Sequence, residues 1–217
     1  MNLPVGVSEH TVETDRIRIR YIESGPADGI PVLMIHGNLS TGRFFEHLMP
    51  GAPKGYRLIA PDMRGFGDTE RIPIDATRGL RDWADDTHSL VRKLGIERPV
   101  HLVGWSTGGA AIANYAVDRP VASLTFVDPV SPYGFGGVRL DGTPCFADHA
   151  GSGGGTGSPD FTQQIADPDP GPQSPFSPPT VTNAASLAAP PPDPPEPQDL
   201  LVDDTLQPCP RTASDPG

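Results

Sequence analysis

The sequence predicts an α/β fold built on a doubly wound, mostly parallel sheet, and three observations carry that expectation. Short apolar runs bounded by turn residues (31–35, 56–60, 100–104 and 121–127) have the length of strands buried on both faces. Segments of helical periodicity lie between them, and strands alternating with helices imply parallel pairing through crossovers. At one such junction stands Gly104-Trp105-Ser106-Thr107-Gly108, a serine on a tight strand-to-helix turn flanked by glycines.

Taken in order, residues 11–23 alternate Ile17, Ile19 and Tyr21 with Arg18 and Arg20, the period of two of a half-buried strand in an opening hairpin. Between the runs 31–35 and 56–60, residues 44–49 can form a short helix. Leu80, Trp83, Ala84, Thr87, Leu90, Val91 and Leu94 then recur at helical spacing. Arg81, Asp82, Asp85, Asp86, Arg92 and Lys93 fall opposite, so the segment reads as an amphipathic helix ending at Gly95. A strand over 100–104, a helix over 108–118 and a strand over 121–127 complete a core domain of residues 1–130.

Beyond Asp128-Pro129 the periodicity ends. Residues 131–164 scatter Tyr133, Phe135, Phe146 and Phe161 through glycine, and two readings stand: a lid whose aromatics line a pocket, or an irregular connection. Of the 28 prolines, 15 lie within 168–216, where Phe176 is the lone aromatic. That composition cannot bury enough apolar surface to offset chain entropy, so residues 165–217 are expected to be a disordered, acidic, proline-rich tail.

Charge follows the same division. Of the net charge of −11, residues 161–217 account for −7, which leaves −4 for the first 160. No basic patch is present for nucleic acid or an anionic membrane, so neither is expected as a partner. Cys145 and Cys209 have no ligand-type spacing and read as free thiols, with no metal site. The N-terminal residues lack a basic segment and an apolar run, and no stretch reaches transmembrane length, so a cytoplasmic location is expected.

Ser106 is the candidate nucleophile, because a strand-to-helix elbow exposes its hydroxyl. Met34-Ile35-His36-Gly37-Asn38 ends another strand with a turn that can face the elbow. The backbone N–H groups of Asn38 and Thr107 are the candidate oxyanion hole, which needs no particular side chain. His36 is expected to order its turn by hydrogen bonding, with no proton taken from the serine. In Asp62-Met63-Arg64-Gly65-Phe66-Gly67, Asp62 and Arg64 are expected to organise a loop by polar contacts while the glycines supply unusual φ.

These motifs, His36-Gly37-Asn38, Asp62-x-Arg64-Gly65-x-Gly67 and Gly104-Trp105-Ser106-Thr107-Gly108-Gly109, resemble in order and spacing the α/β-hydrolase superfamily over residues 10 to about 135. The likeness is greatest to its lid-bearing esterase, lactonase and cofactor-free haloperoxidase-like branches. The resemblance implies a serine hydrolase acting on a small-molecule ester or lactone through an acyl-enzyme, with no cofactor. It also implies an acid and then a histidine after later strands. Asp128, 22 residues past Ser106, matches an acid position of some branches, against the reading as a structural Asp-Pro turn, which the sequence favours slightly. His149 is the one histidine after Ser106 and the remaining candidate base, although it stands at no predicted strand end. Where the superfamily has further strands and helices this sequence has its proline-rich tail. The sheet is therefore expected to be incomplete at its C-terminal side, with self-association through an uncovered edge. The rival reading is a non-catalytic protein: a truncated or frame-shifted relative, or a pseudoenzyme scaffold.

Overall fold

A computed structural model describes residues 3–75, 78–132, 139, 141 and 143. The expectations for the tail, for His149 and for nearly all of the lid-like segment lie outside these residues. Among the described residues six strands form one sheet: β1 (Val7–Glu13), β2 (Arg18–Ser24), β3 (Ile30–Ile35), β4 (Tyr56–Pro61), β5 (Val100–Trp105) and β6 (Val121–Val127), in the order β1-β2-β4-β3-β5-β6. The opening hairpin β1–β2 is antiparallel and joins β4 antiparallel, whereas β4, β3, β5 and β6 run parallel. The helices are α1 (Arg81–Lys93) and α2 (Thr107–Ala116).

The chain steps from β3 to β4 in one direction and then returns across β3 to β5 and β6. Right-handed crossovers then put the two sets of connections on opposite faces of the sheet. Alternation within the strands serves both faces. Leu33, Ile35, Ile59 and Leu102 pack with Trp83, Leu90, Ile112 and Tyr115 of the helices, while Met34, Leu58 and Ala60 pack with Phe45 and Met49 on the other side. The latter residues belong to two 3₁₀ turns, Gly42–Phe45 and Met49–Gly51, in place of the expected helix over 44–49. The backbone there closes bonds three residues back, Glu46 N to Arg43 O at 2.9 Å and Leu48 N to Phe45 O at 3.0 Å, and Pro50, which donates none, keeps the segment from lengthening into an α-helix.

α1 ends at Gly95, φ +68°, where the Ile96 N–H reaches back to Val91 O at 3.1 Å, a left-handed cap. Its charged face differs from a solvated one, because Asp82 and Asp86 are buried. Asp86 accepts two hydrogen bonds from Arg64, at 2.7 and 2.8 Å, and one from Arg16 at 2.7 Å, while Asp82 accepts from Arg78 at 2.6 Å. Asp85 pairs with Arg78 and Arg119; burial alone would raise its pKa, but the hydrogen bonds from these two guanidinium groups outweigh that and lower it. At the two sheet edges β1 carries Glu9, His10 and Glu13, whereas β6 is uncharged and has Phe126 and Val127 exposed. Among the described residues no helix is long and apolar enough to cross a membrane.

Candidate active site

In a sheet whose winding reverses, the loops leaving the two central strands diverge and open a crevice at their C-terminal ends. Here those strands are β3 and β5, and the loops they release carry Asn38 and Ser106. Among the described residues three that are not glycine have positive φ: Leu39 (+55°), Ser106 (+52°) and Asp128 (+43°). They follow β3, β5 and β6 respectively, so the strained backbone gathers along one end of the sheet, where such strain accompanies function.

Ser106 has φ 52° and ψ −118°, a conformation that side chains disfavour. Contacts on every side hold it there. Its N–H donates to Val127 O at 3.0 Å, and its carbonyl accepts from Gly109 N at 3.0 Å and Val130 N at 3.1 Å. The flanking glycines are sterically required. A Cβ on Gly104 would stand 2.5 Å from Gly108 O, and one on Gly108 would stand 2.2 Å from Ile35 O and 2.5 Å from His36 O. The first turn of α2 therefore rests directly on the end of β3. The Ser106 hydroxyl makes no cap bond to the helix it precedes, and no described residue hydrogen-bonds it. The Thr107 N–H, at the first helical residue, belongs to the turn that lacks intrahelical partners.

The loop after β3 is fixed by His36, which is fully buried. Its Nε2 accepts the Met63 N–H at 2.8 Å, so the neutral ring carries its proton on Nδ1 and donates it to Gly37 O at 2.7 Å. Burial pushes the His36 pKa down to about 4, further lowered by Arg20 and only partly offset by the Gly37 bond. The Gly37 carbonyl is one end of the Gly37–Asn38 peptide, and in a trans peptide the N–H points the opposite way, so the Asn38 N–H faces away from the imidazole. A Cβ on Gly37 would lie 3.0 Å from Ser106 Cβ, which measures how closely this loop meets the elbow.

The loop after β4 supports both. Asp62, buried, accepts from Gly42 N at 2.8 Å, Asp68 N at 3.2 Å and Arg20 Nη1 at 3.1 Å. Its burial raises its pKa against the pull of Arg20. Gly67, φ +50°, leaves no room for a side chain, since a Cβ would sit 2.2 Å from Asp62 Oδ2. Arg64 is turned away from the crevice into its pair with Asp86. Asp62 and Arg64 thus organise the loop, their charged groups spent on polar partners.

Asp128 follows the Trp105–Val127 register pair and so neighbours Ser106 across β5 and β6. It is exposed, and among the described residues none hydrogen-bonds its carboxylate. The described histidines other than His36 lie away from the ends of β3 and β5 that carry Asn38 and Ser106. His101 bonds Ser123 at 2.8 Å at the start of β5, roughly 16 Å back along the strand. His88 faces Tyr115 from α1, His10 stacks on Tyr21 of the opening hairpin, and His47 is exposed beside Glu46. Motif reading did not single out Trp105 and Phe44 as site residues. Their rings stack with centroids 4.0 Å apart, and the available signal was only an aromatic before the serine.

A family model described as alpha/beta hydrolase fold matches residues 30–167. Among curated proteins, the chain is 37% identical over 107 residues to the magnesium-chelatase 30 kDa subunit of Rhodobacter capsulatus, covering 49% of this chain and 37% of that protein. It is also 37% identical over 106 residues to a 2-hydroxy-6-oxo-6-phenylhexa-2,4-dienoate hydrolase of Comamonas testosteroni, covering 47% and 36%. Among solved structures it superposes on a bacterial membrane phospholipase A with TM-score 0.52 at 31% identity, covering 58% of this chain and 40% of that one. The chain spans well under half the length of the curated relatives it matches.

Proposed function

The chain belongs to the α/β-hydrolase fold family, and on that premise we propose that Ser106 is the nucleophile of a serine hydrolase acting on small-molecule carboxylic esters or lactones. The observation that carries the proposal is the strained Ser106 backbone, φ 52° and ψ −118°, held between β5 and α2 where an ordinary turn needs no such conformation. In this reading the Ser106 hydroxyl gives up its proton as its oxygen bonds to the substrate carbonyl carbon, while the carbonyl π pair moves onto oxygen. The Asn38 and Thr107 N–H groups receive that oxyanion. Collapse of the intermediate breaks the bond to the leaving alkoxide, which takes up the proton given up by Ser106; water then attacks the acyl carbon, its hydroxyl stays with the acid product and its proton returns to the Ser106 oxygen. Asp128 is assigned as the acid that would orient a base. His36 is excluded as that base, because both ring nitrogens are committed and its pKa near 4 belongs to a buried, neutral ring.

A second reading, an elbow retained without turnover, is favoured by that commitment, since His36 is the one described histidine in the site loops. The two readings separate in p-nitrophenyl acetate hydrolysis. With no base at the elbow, turnover is limited to the roughly 10³–10⁴ over water that an oxyanion hole and binding sustain. Slow release that Ser106→Ala abolishes supports the nucleophile, whereas release unchanged in Ser106→Ala removes the proposal. Ordinary enzymic rates lost in His149→Ala would assign the base to that residue.

A further inference from the structure

The two proposed oxyanion donors are supported unequally. The Thr107 amide begins α2 and is carried by helix and strand together. The Asn38 amide lies in an irregular loop that passes through Leu39 at φ +55°. His36 orients the start of that loop through Gly37 O, and Asp62 holds its far end through the Gly42 N–H. Between these anchors the loop rests on Trp105. A Cβ on Gly37 would stand 2.8 Å from Trp105 Cε3, 3.0 Å from Cζ3 and 3.0 Å from Ser106 Cβ. The indole in turn stacks on Phe44, ring centroids 4.0 Å apart and planes within 2°, and Phe44 belongs to the 3₁₀ turn that receives the loop. One rigid ring, covalently next to Ser106, thus touches the donor loop at Gly37 and the turn where it ends.

We infer that Trp105 is a positioning residue that sets the gap between the Ser106 hydroxyl and the Asn38 amide, with Phe44 fixing the plane of its ring. The inference rests on Ser106 being the nucleophile. Oxyanion donors act at about 2.7–3.1 Å, and a displacement of about 1 Å at such a site can cost ~10²-fold. Removing the indole leaves open space beneath Gly37, into which the loop can sink while α2 keeps the Thr107 amide in place. Trp105→Phe retains a planar ring between Phe44 and Gly37.

The test is the second-order rate at which a fluorophosphonate labels Ser106, measured on the full chain with thermal midpoints recorded for every variant. Trp105→Ala is expected to slow labelling at least tenfold, and Trp105→Phe to restore it to within about threefold of wild type. Gly37→Ala drives its methyl against the indole and Ser106 and is also expected to slow labelling. In Trp105→Ala/Gly37→Ala the ring atoms it strikes are gone, so the double variant is expected to react faster than the product of the single effects. A merely structural loss would multiply. Where Trp105→Ala fails to fold, Phe44→Leu removes the stacking partner alone and is expected to slow labelling several-fold. Wild-type labelling in Trp105→Ala, or in Phe44→Leu where that variant stands in, overturns the positioning role and leaves the nucleophile intact. A wild-type protein that does not label at Ser106 overturns both.

Discussion

Replacing Ser106 by glycine should stabilise the protein, and replacing it by alanine should not. A side chain held in a sparsely populated φ/ψ region costs on the order of 1–3 kcal/mol, and Ser106 at φ 52°, ψ −118° is such a case. Glycine removes the Cβ that makes the conformation costly. Against this stands the greater freedom of glycine in the unfolded chain, about 0.4–1 kcal/mol. Alanine keeps the Cβ and therefore the strain. The hydroxyl it removes makes no cap bond to α2 and has no described hydrogen-bond partner, so its loss costs little. Ser106→Gly is thus expected to exceed Ser106→Ala by about 0.5–2 kcal/mol, equivalent to roughly a quarter to one molar in urea midpoint at an unchanged slope of about 2 kcal/mol/M. Urea titrations of wild type and the two variants, run side by side, give the comparison. Equal stability, or a less stable glycine variant, would refute the argument that the elbow stores strain.

Three further outcomes are expected. Because burial lowers the His36 pKa from 6.5 to about 4, the unfolded chain binds that proton more readily between those values. The contribution of neutral His36, about 3 kcal/mol over the full span, is therefore whole at pH 7, declines as pH falls below about 6.5 and is lost near 4. His36→Asn should flatten the fall in urea midpoint between pH 7 and 5, and an unchanged fall would contradict the assignment. Asp86→Ala leaves the Arg64 guanidinium, 7% exposed, without both of its carboxylate bonds and should cost about 3–5 kcal/mol, while Asp86→Leu with Arg64→Met should recover a substantial part. The uncharged β6 edge should give concentration-dependent association in sedimentation velocity that Thr125→Lys suppresses; monomers at every concentration would count against an open edge.

Strands β3 to β6, α2 and the three motif loops were legible because their signals are local, whereas the stretch 11–23, read as one alternating strand, turns at Thr14–Ile17 between β1 and β2. A run such as Val100 to Trp105 bounded by Pro99 and a glycine-flanked serine needs no distant partner to be recognised. What stayed hidden depends on partners far along the chain. Asp82 and Asp86 sit opposite the apolar stripe of α1 in the sequence, yet they are buried because Arg16 and Arg64 arrive from distant segments and join Arg78, which lies just before the helix. The 3₁₀ turn Gly42–Phe45 is held by Asp62, 20 residues beyond Gly42, a bond no periodicity records. The proposed roles of Ser106, Asn38 and Thr107 rest on the elbow and the turn after β3. The packing of Gly37 on Trp105 and the stack on Phe44 required coordinates. The strain at Leu39 and Asp128 was likewise invisible, since neither residue type announces a positive φ.

The central claim is that Ser106 is a nucleophile facing two backbone donors, and covalent capture tests it most directly. The protein is treated with a slight excess of fluorophosphonate and its intact mass and peptide map are recorded, with Ser106→Ala treated in parallel. One adduct per chain is expected, on the peptide containing Ser106, and none on the alanine variant. An unmodified wild-type chain, or an adduct that persists in Ser106→Ala, would contradict it.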